Sequence, residues 1–162
     1  SRPTTTAAPP ATRPPATTTT TRPPDSNTGN TTTAALDRCP VKGPVSFQDW
    51  WHAPRSGGRL HEGLDMFAPM GAPVVAPVSG TVMHTEYPLG GKVFRMWGDN
   101  GWFYYGAHLS GFAADGWVSA GTVIGYVGDS GNAQGTSPHL HFEAHPVQGT
   151  PVNPYGAARA LC

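Results

Sequence analysis

The 162-residue sequence is short of charge: Lys, Arg, Asp and Glu make up 12% of it, and they balance to a formal zero with the seven histidines neutral. A chain without a basic excess lacks the electrostatic footprint that engages phosphates, which sets nucleic acid aside as a partner. No run approaches 18 apolar residues, so no segment reads as a membrane span. The chain begins without a Met and without an apolar leader, and a mature or trimmed exported chain is the expectation. Cysteine is scarce too. Cys39 and Cys162 stand in no Cys-x-x-Cys or other metal-ligand spacing, so one disulfide tying the ends of a domain is expected, with two free thiols as the alternative. In the chain-entropy picture such a long loop contributes roughly 4 to 5 kcal/mol as an upper figure.

Glycine (21) and proline (18), by contrast, are abundant, and they separate two regions of different physics. Residues 1–36 hold 13 Thr and seven Pro, with Thr17 to Thr21 in one run, and almost nothing apolar beyond Ala. Such a segment cannot bury enough surface to offset its ordering entropy. It reads as a disordered, Thr/Pro-rich linker or stalk, of a composition often O-glycosylated on exported proteins, with a plain solvated tail as the alternative. Asn30-Thr31-Thr32 also fits an N-glycosylation triplet, which a Thr-rich tract supplies by chance.

Residues 37–162 hold every Trp, Tyr, Phe and His, and form one domain of ordinary size. Short β-prone runs recur at Val74–Ala76, Gly80–His84, Lys92–Trp97, Trp102–Tyr105, Thr122–Val127 and His139–Glu143, each bounded by Gly, Pro, Asn or Asp. Gly90-Gly91, Asp99-Asn100-Gly101 and Asp129-Ser130-Gly131-Asn132 are turn signals, and no stretch of ten residues has a 3.6-residue apolar period. A mainly β fold is expected, an antiparallel β-sheet or sandwich with long loops, and a monomer. The five tryptophans are expected mostly in the core, with one or two lining a groove.

Three histidine clusters carry the chemistry: His61-Glu62-Gly63-Leu64-Asp65, the isolated His108, and His139-Leu140-His141. On a strand His139 and His141 share one face, roughly 6.5 to 7 Å apart at Cα, while Leu140 points into the core. Four extended residues span roughly 13 Å, so His61 and Asp65 can share an ion only if the chain bends between them, and Gly63 offers a backbone tolerant of such a bend. Catalytic zinc takes three protein ligands of imidazole and carboxylate type and keeps a fourth position for water. The residues leave two ligand sets open: His61, Asp65 and one histidine of the pair, or His61, His139 and His141 with Asp65 behind them. His141 and His145 have zincin-like spacing, but His-Glu-x-x-His is absent and Pro138 and Pro146 confine the segment to strand length.

The stretches His61-Glu62-Gly63-Leu64-Asp65-Met66-Phe67-Ala68-Pro69-Met70-Gly71-Ala72-Pro73-Val74 and Gly131-Asn132-Ala133-Gln134-Gly135-Thr136-Ser137-Pro138-His139-Leu140-His141-Phe142-Glu143 resemble the signatures of the lysostaphin-type (LytM-like) zinc metallopeptidases, and Ala107-His108-Leu109-Ser110 resembles their third block. The likeness runs from about Val45 to Asn153 in the family's order. It implies an antiparallel β-sheet groove with one Zn2+ at its floor and a secreted or cell-wall-associated, extracytoplasmic endopeptidase that hydrolyses cross-links or stem peptides of bacterial peptidoglycan. Position by position, it implies His61, Asp65 and His141 as metal ligands and His108 and His139 as catalytic histidines. Which of those two is the base stays open, as does the bond cleaved.

The other site-region residues have quieter readings. His52, His84 and His145 read as surface or edge-strand histidines. Glu143 reads as an exposed strand carboxylate, with a hydrogen bond to a ligand imidazole as the alternative. Arg59 reads as a solvated loop residue that could also steer a carboxylate-bearing substrate. Members of the family that cut glycyl-glycine tend to carry Tyr where this chain has Arg55, with Tyr104 or Tyr105 as replacements in space; the departure favours cross-links of D-alanine and a diamino acid over pentaglycine. Two alternatives complete the reading: a catalytically silent wall-binding or regulatory module of the same fold, and an iron oxygenase built on the same two-His, one-carboxylate set.

Overall fold

The computed structural model describes residues 33–147 and 149–162. The linker and glycosylation expectations lie, up to residue 32, outside the described residues. Packed structure starts ahead of Asp37, because Ala34 is buried and the Tyr104 hydroxyl donates to the Ala35 carbonyl.

In chain order the strands are β1 (Leu64–Phe67), β2 (Pro73–Val75), β3 (Gly80–Tyr87), β4 (Gly91–Gly98), β5 (Phe103–Leu109), β6 (Gly111–Phe112), β7 (Gly116–Val118), β8 (Val123–Tyr126) and β9 (His139–His145), followed by the helix α1 (Tyr155–Leu161). β1, β9, β5, β4, β3 and β7 form a six-stranded sheet in that order, and β2, β8 and β6 form a second sheet; every pairing is antiparallel. The mainly β expectation holds. The expected runs become β2, β3, β4, β5, β8 and β9.

β9 shows how the large sheet is built. Its residues alternate half-buried and buried along the whole strand, with Leu140, Phe142 and Ala144 inside and His139, His141, Glu143 and His145 on the other face. Leu64 and Met66 of β1, Phe94 and Met96 of β4, Tyr104 of β5 and Val82 of β3 extend the same dry face, and Val74 and Ile124 of the small sheet complete the core. Each such side chain contributes about 1.5 to 3 kcal/mol by leaving water. Register is therefore firmly set: a slip of one residue would turn Leu140 and Phe142 out and bury the histidines. The tryptophans depart from expectation, since none lies in the fully buried set and Trp50 and Trp97 are exposed. Trp102 packs against the edge of the core. Cys39 and Cys162 form the expected disulfide across 123 residues.

Candidate active site

The cross-strand register places the site. Asp65 of β1 lies opposite His141 of β9, Phe67 opposite His139, and Ala107 of β5 opposite His141 on the far side. His61 precedes β1 and is held by its own backbone, which donates to Ala53 O (2.9 Å) and accepts from His52 N–H (2.8 Å). The chain bends at Gly63 as expected, but for a different physical reason. Its φ is not left-handed; a Cβ there would stand 2.6 Å from His141 Cε1 and 2.7 Å from Phe142 O. Glycine is required by space for the imidazole.

Three donor atoms converge. His61 Nε2, Asp65 Oδ1 and His141 Nδ1 lie 3.0 Å from one another in every pairing. His61 and Asp65 are buried and His141 is half-buried. Asp65 thus stands within the cluster rather than behind it, while the His139 ring lies against His108, 5.0 Å between centroids.

Each of the four histidines has one ring nitrogen tied to an acceptor. His61 Nδ1–H donates to Trp50 O (3.0 Å), His108 Nδ1–H to Ser130 O (2.8 Å), His139 Nδ1–H to Ser137 O (2.9 Å) and His141 Nε2–H to Glu143 Oε1 (3.0 Å). A carbonyl can only accept, so the first three tautomers are fixed and the second nitrogen of each ring carries a lone pair.

The His108 side chain is aimed by a bulge. Two steps on β4, from Lys92 to Phe94, face three on β5, from Leu109 to Gly106, and His108 takes a left-handed φ of 67°. An extra residue there breaks the alternation and presents the ring to His139, at a backbone cost of order 1 to 3 kcal/mol.

Electrostatics follow from burial and partners. Burial works to raise the Asp65 carboxyl, but hydrogen bonds from His141 and His61 outweigh it and hold the group far below the usual carboxylate range. Burial works to lower His141, yet its bonds to Asp65 and Glu143 prevail and raise it to about 9. Burial also opposes ionisation of Glu143, and hydrogen bonds from His141 and His145 overcome it, lowering the group to about 2. His108 is pushed down to about 4, by burial first and then by its histidine neighbours.

Sequence reasoning underplayed three residues. Glu143 is a partner of His141 and of His145, whose Nε2 lies 2.8 Å from Oε2, so neither Glu143 nor His145 is a plain surface residue. The period of two on β9 was the signal, since residues 139, 141, 143 and 145 share one face. Arg55 donates to Asp65 Oδ2 at 2.5 Å, a contact no local spacing announces. Among the described residues the Arg59 side chain hydrogen-bonds within its own loop, to the Ser56 carbonyl and hydroxyl. Tyr104 is in the core, and Tyr105 stands edge-on to His141 with ring centroids 6.5 Å apart. His52 is exposed, and His84 bonds the Ile124 carbonyl far from the cluster.

The donor chemistry fits a zinc ion. A tetrahedral ion with ligands at roughly 2 Å separates them by roughly 3.3 Å, close to the 3.0 Å edges here. In the neutral state, two imidazole lone pairs and a carboxylate facing one another repel unless a proton or a cation lies among them. The cluster opens onto a groove of about 560 Å³ walled by Trp50, Arg55, Leu60, Asn132 and Thr136. Among the described residues this is the only group of three or more His, Cys, Asp or Glu that could hold a metal.

A buried His/Asp/His cluster on a sheet floor, with two further histidines beside it and a groove above, suits a metal-dependent enzyme. Residues 59–154 match Peptidase family M23, and the chain belongs to that family. The chain is 43% identical over 102 residues to the DD-carboxypeptidase/endopeptidase Mpg of Neisseria meningitidis, covering 62% of this chain and 23% of Mpg. It is 35% identical over 136 residues to the L-Ala–D-Glu endopeptidase of Bacillus subtilis, covering 75% of this chain and 42% of that protein. The catalytic domain of the antimicrobial peptidase lysostaphin from Staphylococcus simulans superposes with a TM-score of 0.63 at 26% identity, covering 71% of this chain and 92% of that one. The match thus spans about a quarter of the length of Mpg. Membership of a metallopeptidase family sets the iron-oxygenase alternative aside. No helix among the described residues is long and apolar enough to cross a membrane.

Proposed function

We propose that this chain is a secreted, zinc-dependent endopeptidase that hydrolyses peptide cross-links or stem peptides of bacterial peptidoglycan outside the cytoplasm. The observation that carries the reading is the 3.0 Å triangle of His61 Nε2, Asp65 Oδ1 and His141 Nδ1 beside the His108–His139 pair. Substrate class follows the names of the relatives, a DD-carboxypeptidase/endopeptidase and an L-Ala–D-Glu endopeptidase. The disulfide and the Thr/Pro-rich tract support an oxidising, exported setting.

In this reading His61, Asp65 and His141 hold the ion, and Glu143 and the Trp50 carbonyl orient the two imidazoles. When bound, Zn2+ supplies a Lewis acid that polarises the scissile carbonyl and acidifies water towards neutral pH. His108 and His139 each keep an acceptor nitrogen, because Nδ1–H is committed to a carbonyl. They are therefore arranged to take a proton from the attacking water and to return it to the leaving amine. The low value of His108 keeps it neutral at physiological pH, and its anchoring to Ser130 O fixes its direction. Phe67 and Trp50 pack edge to face and give the groove an apolar side against which a peptide side chain could rest.

The test is release of new free amines from purified peptidoglycan by the zinc-loaded chain, with and without a chelator. Chelator-sensitive release supports the reading, and mass spectrometry of the fragments identifies the bond. No release from protein shown to hold one zinc would overturn it in favour of a silent wall-binding module.

A further inference from the structure

The loop between Trp50 and His61 brings into the groove one side chain that the mechanism above does not use. Arg55 donates to Oδ2 of Asp65 at 2.5 Å, while Oδ1 of the same carboxylate faces His61 and His141. Its backbone is fixed, with the N–H donating to Arg59 O (2.8 Å) beside the Pro54–Leu60 bridge. The side chain is 35% exposed, against 8% for Asp65. A guanidinium has five donors in a planar fork, and among the described residues Asp65 is its sole side-chain partner. Arg55 is one of the residues that line the groove.

The charges around it make the same point. Two arginines, Arg55 and Arg59, stand against three carboxylates, Glu62, Asp65 and Glu143, in the groove wall. The guanidinium of Arg55 is thus the one cation of the wall that also touches the donor cluster. Because the two oxygens of Asp65 share one carbon, the guanidinium stands directly beside the donor triangle.

We propose that Arg55 is a specificity-determining residue that receives a free carboxylate on the peptide residue next to the scissile bond, with its Asp65 contact holding the guanidinium in place. The inference rests on the peptidase reading and names the substrate class, a peptide with an acidic rather than amidated group at that position. Lysine at 55 would keep an ion pair to Asp65 but lose the fork that takes a second carboxylate.

The experiment uses the full chain with one zinc bound and matched synthetic stem peptides ending in D-alanine as free acid or as amide. Cleavage kinetics are measured alongside calorimetric binding of D-alanyl-D-alanine and its amide. The expected result is a preference of about ten- to a hundredfold for the free acid, carried by KM and by binding. Arg55→Gln and Arg55→Lys bring that ratio close to one, at unchanged zinc content and melting temperature. A ratio that survives in Arg55→Gln overturns the inference. So does an equal loss on both peptides carried by kcat, which would assign Arg55 to the transition state. If the wild type cleaves neither peptide, amine release from purified peptidoglycan decides the peptidase reading and binding decides this inference. Arg55-dependent binding of the free acid would then still support the inference, and its absence would overturn it.

Discussion

Glu143 accepts from His141 Nε2 at 3.0 Å through one oxygen and faces His145 Nε2 at 2.8 Å through the other. One carboxylate on the sheet floor thus fixes which nitrogen of His141 is free to face His61 and Asp65. The alternation of β9 makes the relationship possible, because residues two apart share a face and come within reach of one another.

Replacing Glu143 by Ala should therefore leave the fold intact and weaken zinc binding by about ten- to a hundredfold, read by competition with a chromogenic chelator. Glu143→Gln, which keeps an acceptor but loses the charge, should fall between. Unchanged affinity in both variants would show that the hydrogen bond does not orient the ligand.

Gly63→Ala should do comparable damage through space alone. The added methyl group would meet His141 Cε1 at 2.6 Å and a β9 carbonyl at 2.7 Å, and the sheet register gives neither room to move. The expected cost is about 1 to 3 kcal/mol by thermal unfolding, together with weaker metal binding. Gly156→Ala is the control: a Cβ there meets nothing, it lies within α1, and the substitution should be neutral or mildly stabilising.

The sequence carried the sheet floor well and the groove wall poorly, for physical reasons. β9 was legible because its alternation of polar and apolar residues is a local pattern, and the turns flanking β4 and β5 are marked by glycine. β1 was hidden because Leu64, Asp65 and Met66 are all buried, so a carboxylate sits in the dry stretch and erases the polar–apolar alternation. The bulge at His108 was invisible, since it depends on how β5 registers against β4. Arg55 was seen only as a departure from a family pattern, because its contact with Asp65 is made across a loop and depends on three-dimensional placement.

The two kinds of histidine should separate by metal content. His61→Ala removes one corner of the triangle and should yield protein without stoichiometric zinc and without activity. His108→Ala should retain one zinc and its melting temperature while kcat falls by about 10² to 10⁴. A zinc-free His108→Ala protein would show that this residue holds the ion rather than moving a proton.

Metal uptake should depend on pH through His141. In the metal-free protein its bonds to Asp65 and Glu143 outweigh burial and raise it to about 9, so near pH 7 both ring nitrogens carry protons. An ion needs the Nδ1 lone pair, and binding must release that proton. Apparent zinc affinity should thus rise about tenfold per pH unit up to about 9 and flatten beyond, provided the ligand and buffer chemistry of the free metal is held constant. Calorimetry in buffers of different ionisation enthalpy should find about one proton released at pH 7 and about half that number near pH 9. The same raised value makes an opposite contribution to metal-free stability: it is fully present below the unfolded value near 6.5 and is lost as pH rises through 9. His108, lowered to about 4, adds no proton release above pH 6. Zinc uptake without proton release at pH 7 would mean that His141 is already neutral, and that the Asp65–His141–Glu143 chain does not hold a cation before the metal arrives.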